Sequence, residues 1–133
     1  MIKLFLLVNL LHAVTGTPSS KATTTLPHIV VVLADDLGYG DVSSYNPMPL
    51  GNISTPHIDA LAHRGMMFLD AHASSSVCTP SRYSLLTGHY NWRTRLKSGV
   101  LQAFSSPIIP EERSTVATLL KTAGYKTACV GKW

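Results

Sequence analysis

Residues His28 to Ala34 read His-Ile-Val-Val-Val-Leu-Ala, an apolar and largely β-branched run. A strand with one wet face alternates polar and apolar residues. This run does not alternate, so it predicts a strand buried on both faces, as in a parallel sheet. It ends at Asp35-Asp36-Leu37-Gly38-Tyr39-Gly40, where the glycines mark a turn.

The segments that follow supply helices. Thr55-Pro56 predicts a helix start, with threonine as the cap and proline in the first position. Ile58, Leu61 and Ala62 form its apolar stripe, and Gly65 stops it. Met66 to Ala71 reads as a second strand. Thr79-Pro80 predicts another helix, running to about Thr87 and ended by Gly88. Residues 89 to 110 read as irregular. A third helix is expected after Ser114, with Val116, Leu119, Leu120 and Ala123 on one face and Gly124 at its end. Tyr125 to Val130 reads as a last strand. Strand, helix, strand, helix, helix, strand predicts an α/β sandwich with a mostly parallel sheet.

The chain has 133 residues, enough for one modest domain; 45% are apolar and 14% charged, a globular composition. The net charge of +4 comes from basic residues that are scattered and not interleaved with aromatics. That is weak support for an anionic ligand and no case for nucleic acid. Lys3, then the apolar run Leu4 to Leu11 broken by Asn9, then Ala13, Thr15 and Gly16, read as a signal peptide over residues 1–16. The run is far shorter than the roughly 20 residues that span a bilayer, so no stable membrane insertion is expected. Residues 17–27 read as a flexible lead-in. At the other end, Trp133 directly follows an apolar segment with no cap or tail, which reads as a piece of a longer protein.

In open parallel sheets, ligands bind beyond the carboxyl ends of the strands. Asp35 and Asp36 follow the first predicted strand, Cys78 the second and Lys132 the last. Adjacent carboxylates repel each other, and a hard divalent cation relieves that repulsion; the bland alternative is a solvated turn. Cys78 opens a helix, where backbone N–H groups favour an anion. Arg82, one turn later, can donate two hydrogen bonds to an oxyanion; the bland alternative is a structural cysteine beside a surface arginine. Lys132 alone reads as solvated, and near a tetrahedral anion as a point charge. Cys78 and Cys129 are able to pair in an exported chain, although Cys129 reads as a small core residue. No Cys/His spacing suits zinc. His57 and His63 read as surface groups.

Together these motifs resemble the formylglycine-dependent sulfatases, nearest to the A-type arylsulfatases. Cys78-Thr79-Pro80-Ser81-Arg82 with Leu85-Leu86-Thr87-Gly88 is similar to their signature. Ala34 to Asp41 resembles their first metal-binding segment. Thr55 to Ala62 and Leu119 to Tyr125 resemble two of their helices, and Gly131-Lys132-Trp133 the start of their second signature. Five blocks in the family's order cover nearly everything after residue 27.

The resemblance implies an alkaline-phosphatase-like sandwich, of which residues 28–133 are the N-terminal part. It implies that a separate formylglycine-generating enzyme recognises Cys78, Pro80 and Arg82 and oxidises Cys78 to an aldehyde. One hydroxyl of the hydrated aldehyde attacks the sulfur of a sulfate ester; the other expels sulfate. Asp35 and Asp36 are implied calcium ligands, with the modified residue 78 also touching the metal. Arg82 is implied to hold the modified side chain, and Lys132 to contact sulfate.

The family expects a histidine directly after Gly-Lys-Trp, where this sequence stops, and further ligands later. The 133 residues alone are therefore expected to be inactive and to fold poorly. Three rivals stand beside the sulfatase reading. A cysteine-dependent phosphatase needs a longer loop than the three residues 79 to 81 between cysteine and arginine. A phosphonate or phosphate-ester hydrolase of the same superfamily shares the cysteine motif. An inactive sulfatase-like binding protein has no need to keep Asp35, Asp36, Cys78, Arg82 and Lys132 together. Asn52-Ile53-Ser54 is an N-glycosylation triplet in a eukaryotic source. Export implies a periplasmic, extracellular or lysosomal destination.

Overall fold

The computed structural model describes residues 5–9, 26–46 and 53–133. Asn52 and most of the expected leader and lead-in lie outside the described residues. The chain divides into two units, Met1–Ala71 and His72–Trp133, and each has its own organisation.

In the first unit the β-branched run forms strand β2, Ile29–Leu33. It pairs antiparallel with β1, Phe5–Asn9, in a register that sets Phe5 opposite Leu33 and Asn9 opposite Ile29. The expectation of a strand buried on both faces is corrected: Ile29 to Val32 are all exposed. The parallel partner expected for β2 is likewise not its partner within this unit. An apolar edge is a template for any extended apolar segment, and the first unit offers residues 5–9, which the sequence assigned to a leader.

After β2 the chain makes two 3-10 turns, Tyr39–Asp41 and Ser43–Tyr45. Val42 between them is 1% exposed and anchors this corner. Gly38 is needed where it stands: its N–H donates to Asp41 Oδ2 at 2.8 Å, and a Cβ there would lie 2.7 Å from the same oxygen. Helix α1 runs Pro56–Arg64 between Thr55 and Gly65, as the cap signals predict. Ile58, Leu61 and Ala62 are half-buried, and His57 and His63 are exposed as expected.

The expected strand at Met66 to Ala71 is not formed. Met66 and Leu69 are 73% and 71% exposed. A strand needs a ladder partner, and apolar composition alone does not provide one.

The second unit holds α2, Cys78–Thr87, and α3, Val116–Thr122, which pack against each other. Between them lie turns and one 3-10 segment, Asn91–Arg93, as the irregular reading of 89 to 110 predicts. Helix α2 begins at Cys78 and not after Thr79, because Thr79 does not act as its cap. Its Oγ1 instead accepts from the Leu101 N–H at 3.2 Å. Gly88 ends α2 in the left-handed region, at φ 69°. Pro80, Ser81 and Tyr83 are the buried residues of α2.

Helix α3 is capped by Thr115, whose Oγ1 accepts from Thr118 N at 3.2 Å while Thr118 Oγ1 accepts from Thr115 N at 2.7 Å. Its other end is a Schellman turn. Gly124, at φ 88°, donates to Lys121 O, and Tyr125 N donates to Leu120 O at 3.0 Å. Of the expected apolar face, Val116 and Leu119 are exposed and Leu120 is half-buried. The expected strand over Tyr125 to Val130 is absent. Its first N–H is already used to close α3, and Val130 is 91% exposed.

Candidate active site

Cys78 is the first residue of α2, a free and half-buried thiol. Val77 precedes it in extended conformation and makes no side-chain cap. Pro80 has no N–H, and Ser81 N reaches back to Val77 O at 3.4 Å. The N–H groups of Cys78 and Thr79 therefore have no partner within the helix. They and the macrodipole give this helix end a positive character.

The approach to Cys78 is held by Ser81. This residue is 0% exposed, and its Oγ lies 2.8 Å from both the Ser75 and the Val77 carbonyls, to which it donates. The hydroxyl thus ties the residues before Cys78 to the first turn after it.

Arg82 is four residues from Cys78 and so lies on the same side of α2. Its Nη1 donates to the Lys132 carbonyl, 50 residues away. Its guanidinium carbon sits 5.4 Å from the centre of the Trp133 ring, within cation–π range. Trp133 Nε1 in turn donates to Val130 O at 3.0 Å. The second unit therefore joins the Cys-Thr-Pro-Ser-Arg motif to Gly131-Lys132-Trp133, through Arg82. Gly131 has φ 102°, which a side chain tolerates poorly, and this bends the chain just before Lys132.

Asp35 and Asp36 lie in the first unit, immediately after β2. Asp36 has φ 61°, a left-handed conformation that aspartate tolerates better than most residues. It breaks the strand alternation that would send successive side chains to opposite faces. Two adjacent carboxylates at a turn suit a hard cation, and they supply part of the six to eight oxygens that calcium takes. The described residues contain no group of three or more His, Cys, Asp or Glu side chains placed to hold a metal. Asp35 and Asp36 would therefore supply only a partial donor set for such an ion. Cys78, unpaired and at a helix start, fits the residue that a modifying enzyme would oxidise.

Cys129 corrects one expectation: it is exposed, not a core residue, and both cysteines are free. With no strand at 125–130, nothing folds its neighbourhood inward.

The sequence did not single out three further groups. Ser81 gave no signal apart from its place in the motif. The sequence pattern marks Trp133 but not its contact with Arg82. The third is the hydroxyl and carboxylate cluster of Ser43, Thr55 and Asp59. Ser43 Oγ donates to Asp59 Oδ2 at 2.5 Å, and Thr55 Oγ1 to Asp59 Oδ1 at 3.0 Å. Ser44 N also donates to Asp59 Oδ1, at 2.9 Å. The Ser43 hydroxyl bond is the largest cause holding the Asp59 carboxyl below its ordinary value; partial burial opposes it, and the Thr55 and Ser44 bonds add to it. Ser43 and Thr55 are twelve residues apart, too far for any local sequence rule.

The Sulfatase family model matches residues 27–133. An N-acetylgalactosamine-6-O-sulfatase of Bacteroides thetaiotaomicron is 48% identical over 107 residues, 80% of this chain and 20% of that protein. Arylsulfatase A of Bos taurus is 42% identical over 112 residues, 84% of this chain and 22% of its own length. Arylsulfatase G of Mus musculus is 40% identical over 118 residues, 86% and 21%. The chain thus spans about a fifth of the length of these curated relatives. No solved structure gives a significant match.

Proposed function

The chain belongs to the sulfatase family, and so to its α/β class, and from that premise we propose that it is the N-terminal part of a sulfuric ester hydrolase. In this reading Cys78 is converted to formylglycine by a separate generating enzyme. The observation that carries the reading is the contact of Arg82 with Lys132 and Trp133, which gathers the cysteine motif and the lysine motif on one unit.

Formylglycine would supply a nucleophilic hydroxyl together with a second hydroxyl that expels sulfate, and calcium would supply positive charge. The chain's own residues do the rest. Asp35 and Asp36 would hold the cation. The start of α2 directs N–H groups and its dipole toward negative charge. Arg82 orients residue 78 and balances charge that develops on the sulfate oxygens, and Lys132 contacts the sulfate as a point charge. The remaining ligands and the general acid come from the rest of the catalytic domain, so the 133 residues alone are inactive.

The same reading completes the fold. Residues 1–16 direct export and are removed. The edge of β2 that faces Phe5–Asn9 is then free to join a parallel sheet of an alkaline-phosphatase-like sandwich. No helix among the described residues is long and apolar enough to cross a membrane. Asn52 is glycosylated where the source permits it.

The test uses the full-length protein produced with the generating enzyme. Aryl sulfates and phosphonate esters are assayed side by side, with Cys78→Ser as control. Turnover of sulfate esters that Cys78→Ser abolishes supports the reading. A preference for phosphonate esters moves the protein to the related hydrolase class, and no turnover of either leaves a binding protein.

A further inference from the structure

We infer that Asp59 is a positioning residue for the cation site at Asp35 and Asp36, a deduction that rests on the calcium reading above. Asp59 does not belong to the acid pair; it lies on α1, and α1 is where the segment bearing the pair is fastened.

The proton arrangement shows why the carboxylate is needed. Ser43 N donates to Thr55 Oγ1, and Thr55 N donates to Ser43 Oγ, both at 3.0 Å. Each hydroxyl therefore already accepts from the other residue's backbone and has one proton left to give. Both protons go to Asp59, one to each oxygen. The two hydroxyl oxygens are only 2.8 Å apart. That is hydrogen-bond distance, so either hydroxyl can also share its proton with the other, while the carboxylate sets one oxygen against each hydroxyl. Ser44 N adds a third donor. The result is a closed latch between the Ser43–Tyr45 turn and the first turn of α1.

From that latch back to the acid pair the chain has little slack. Tyr39 and Tyr45 rings lie 4.7 Å apart, and Asn46 Nδ2 donates to Gly40 O at 3.0 Å. Val42 is buried between the two 3-10 turns, and Gly38 N is bonded to Asp41. Each link from Ser43 to Gly38 is thus pinned, and Asp36 is two residues further on. If the latch opens, the acid pair loses its fixed footing, and cation binding must order it first.

Calorimetric titration of the full-length protein with calcium alone tests this, alongside melting of the metal-free protein. Asp59→Asn keeps the volume and removes one acceptor oxygen; its calcium Kd is expected to rise about tenfold or more. Ser43→Ala is expected to raise Kd about threefold or more. A lowered metal-free melting temperature with a calcium Kd within about twofold of wild type in both variants overturns the inference and leaves Asp59 a purely structural cap. If Asp59→Asn does not fold, Ser43→Ala decides the matter by the same criterion. Wild-type protein that binds no calcium refutes the calcium reading itself, and the inference with it. Wild-type binding that the variants leave unchanged refutes the inference alone.

Discussion

Ser81→Ala measures how firmly the approach to Cys78 is held. The Ser81 hydroxyl is fully buried and shared between the Ser75 and Val77 carbonyls, each 2.8 Å away. Removing a shared bond costs about 0.5–1.5 kcal/mol net, and an acceptor left without its donor at a part-buried site raises that toward the lower end of about 1–3 kcal/mol. Val77 O keeps a weak substitute, the Ser81 N–H at 3.4 Å. The cost therefore falls in the lower part of that range, about 1–2 kcal/mol. This corresponds to a roughly 5–30-fold larger population of locally open molecules. Amide hydrogen exchange on the full-length protein reads it directly. The bonded amides of Val77 and Ser81 are expected to exchange faster by that factor, while those of α3 keep their rates. Unchanged exchange at 77–81 would refute the claim that this hydroxyl secures the start of α2.

Gly88→Ala places a Cβ in open space, so its expected cost of about 1–2 kcal/mol is the left-handed backbone alone; a melting curve reads it, and Gly88→Asn is expected to lose less. Arg82→Lys keeps the charge but removes the planar fork that reaches Lys132 O and stacks on Trp133. Its kcat on an aryl sulfate is expected to fall about a hundredfold or more, and a rate near wild type contradicts the role given to Arg82. The Asp59 carboxyl is held below its ordinary value. Its contribution is therefore complete above the ordinary carboxylate value and is lost as pH falls through the lowered folded value. Melting temperature against pH should show an acid limb from this group, and Asp59→Asn should flatten it.

Local signals predicted the helices well. Thr55-Pro56 with Gly65, and Gly88 and Gly124 after apolar stripes, set the helix ends to within about a residue or two, because caps and stops act within one turn. The exception, Thr79, is instructive. Thr55 and Thr79 both have hydroxyls engaged by distant residues, Ser43 and Leu101, and only Thr55 stands at the cap position of its helix. The strands were less legible for the same physical reason. Met66 to Ala71 and Tyr125 to Val130 are apolar enough for strands, but a strand is defined by its partner, and partners are set over long distances. Cys129 was misplaced along with its strand.

For the site, residue type and order in the motifs named Cys78, Arg82, Lys132, Asp35 and Asp36. Composition did not reveal that Arg82 meets the Lys132 carbonyl, or that Ser43, Thr55 and Asp59 share two protons among three side chains. Those are contacts across 50 and 12 residues, and they appear only in three dimensions.

The most direct measurement is the chemical identity of residue 78 in the mature full-length protein. A proteolytic peptide spanning Val77 to Tyr83 is weighed and treated with a hydrazide. The aldehyde mass and hydrazone formation are expected, both absent in Cys78→Ser. An intact thiol at residue 78 in protein that hydrolyses sulfate esters at full rate contradicts the formylglycine reading.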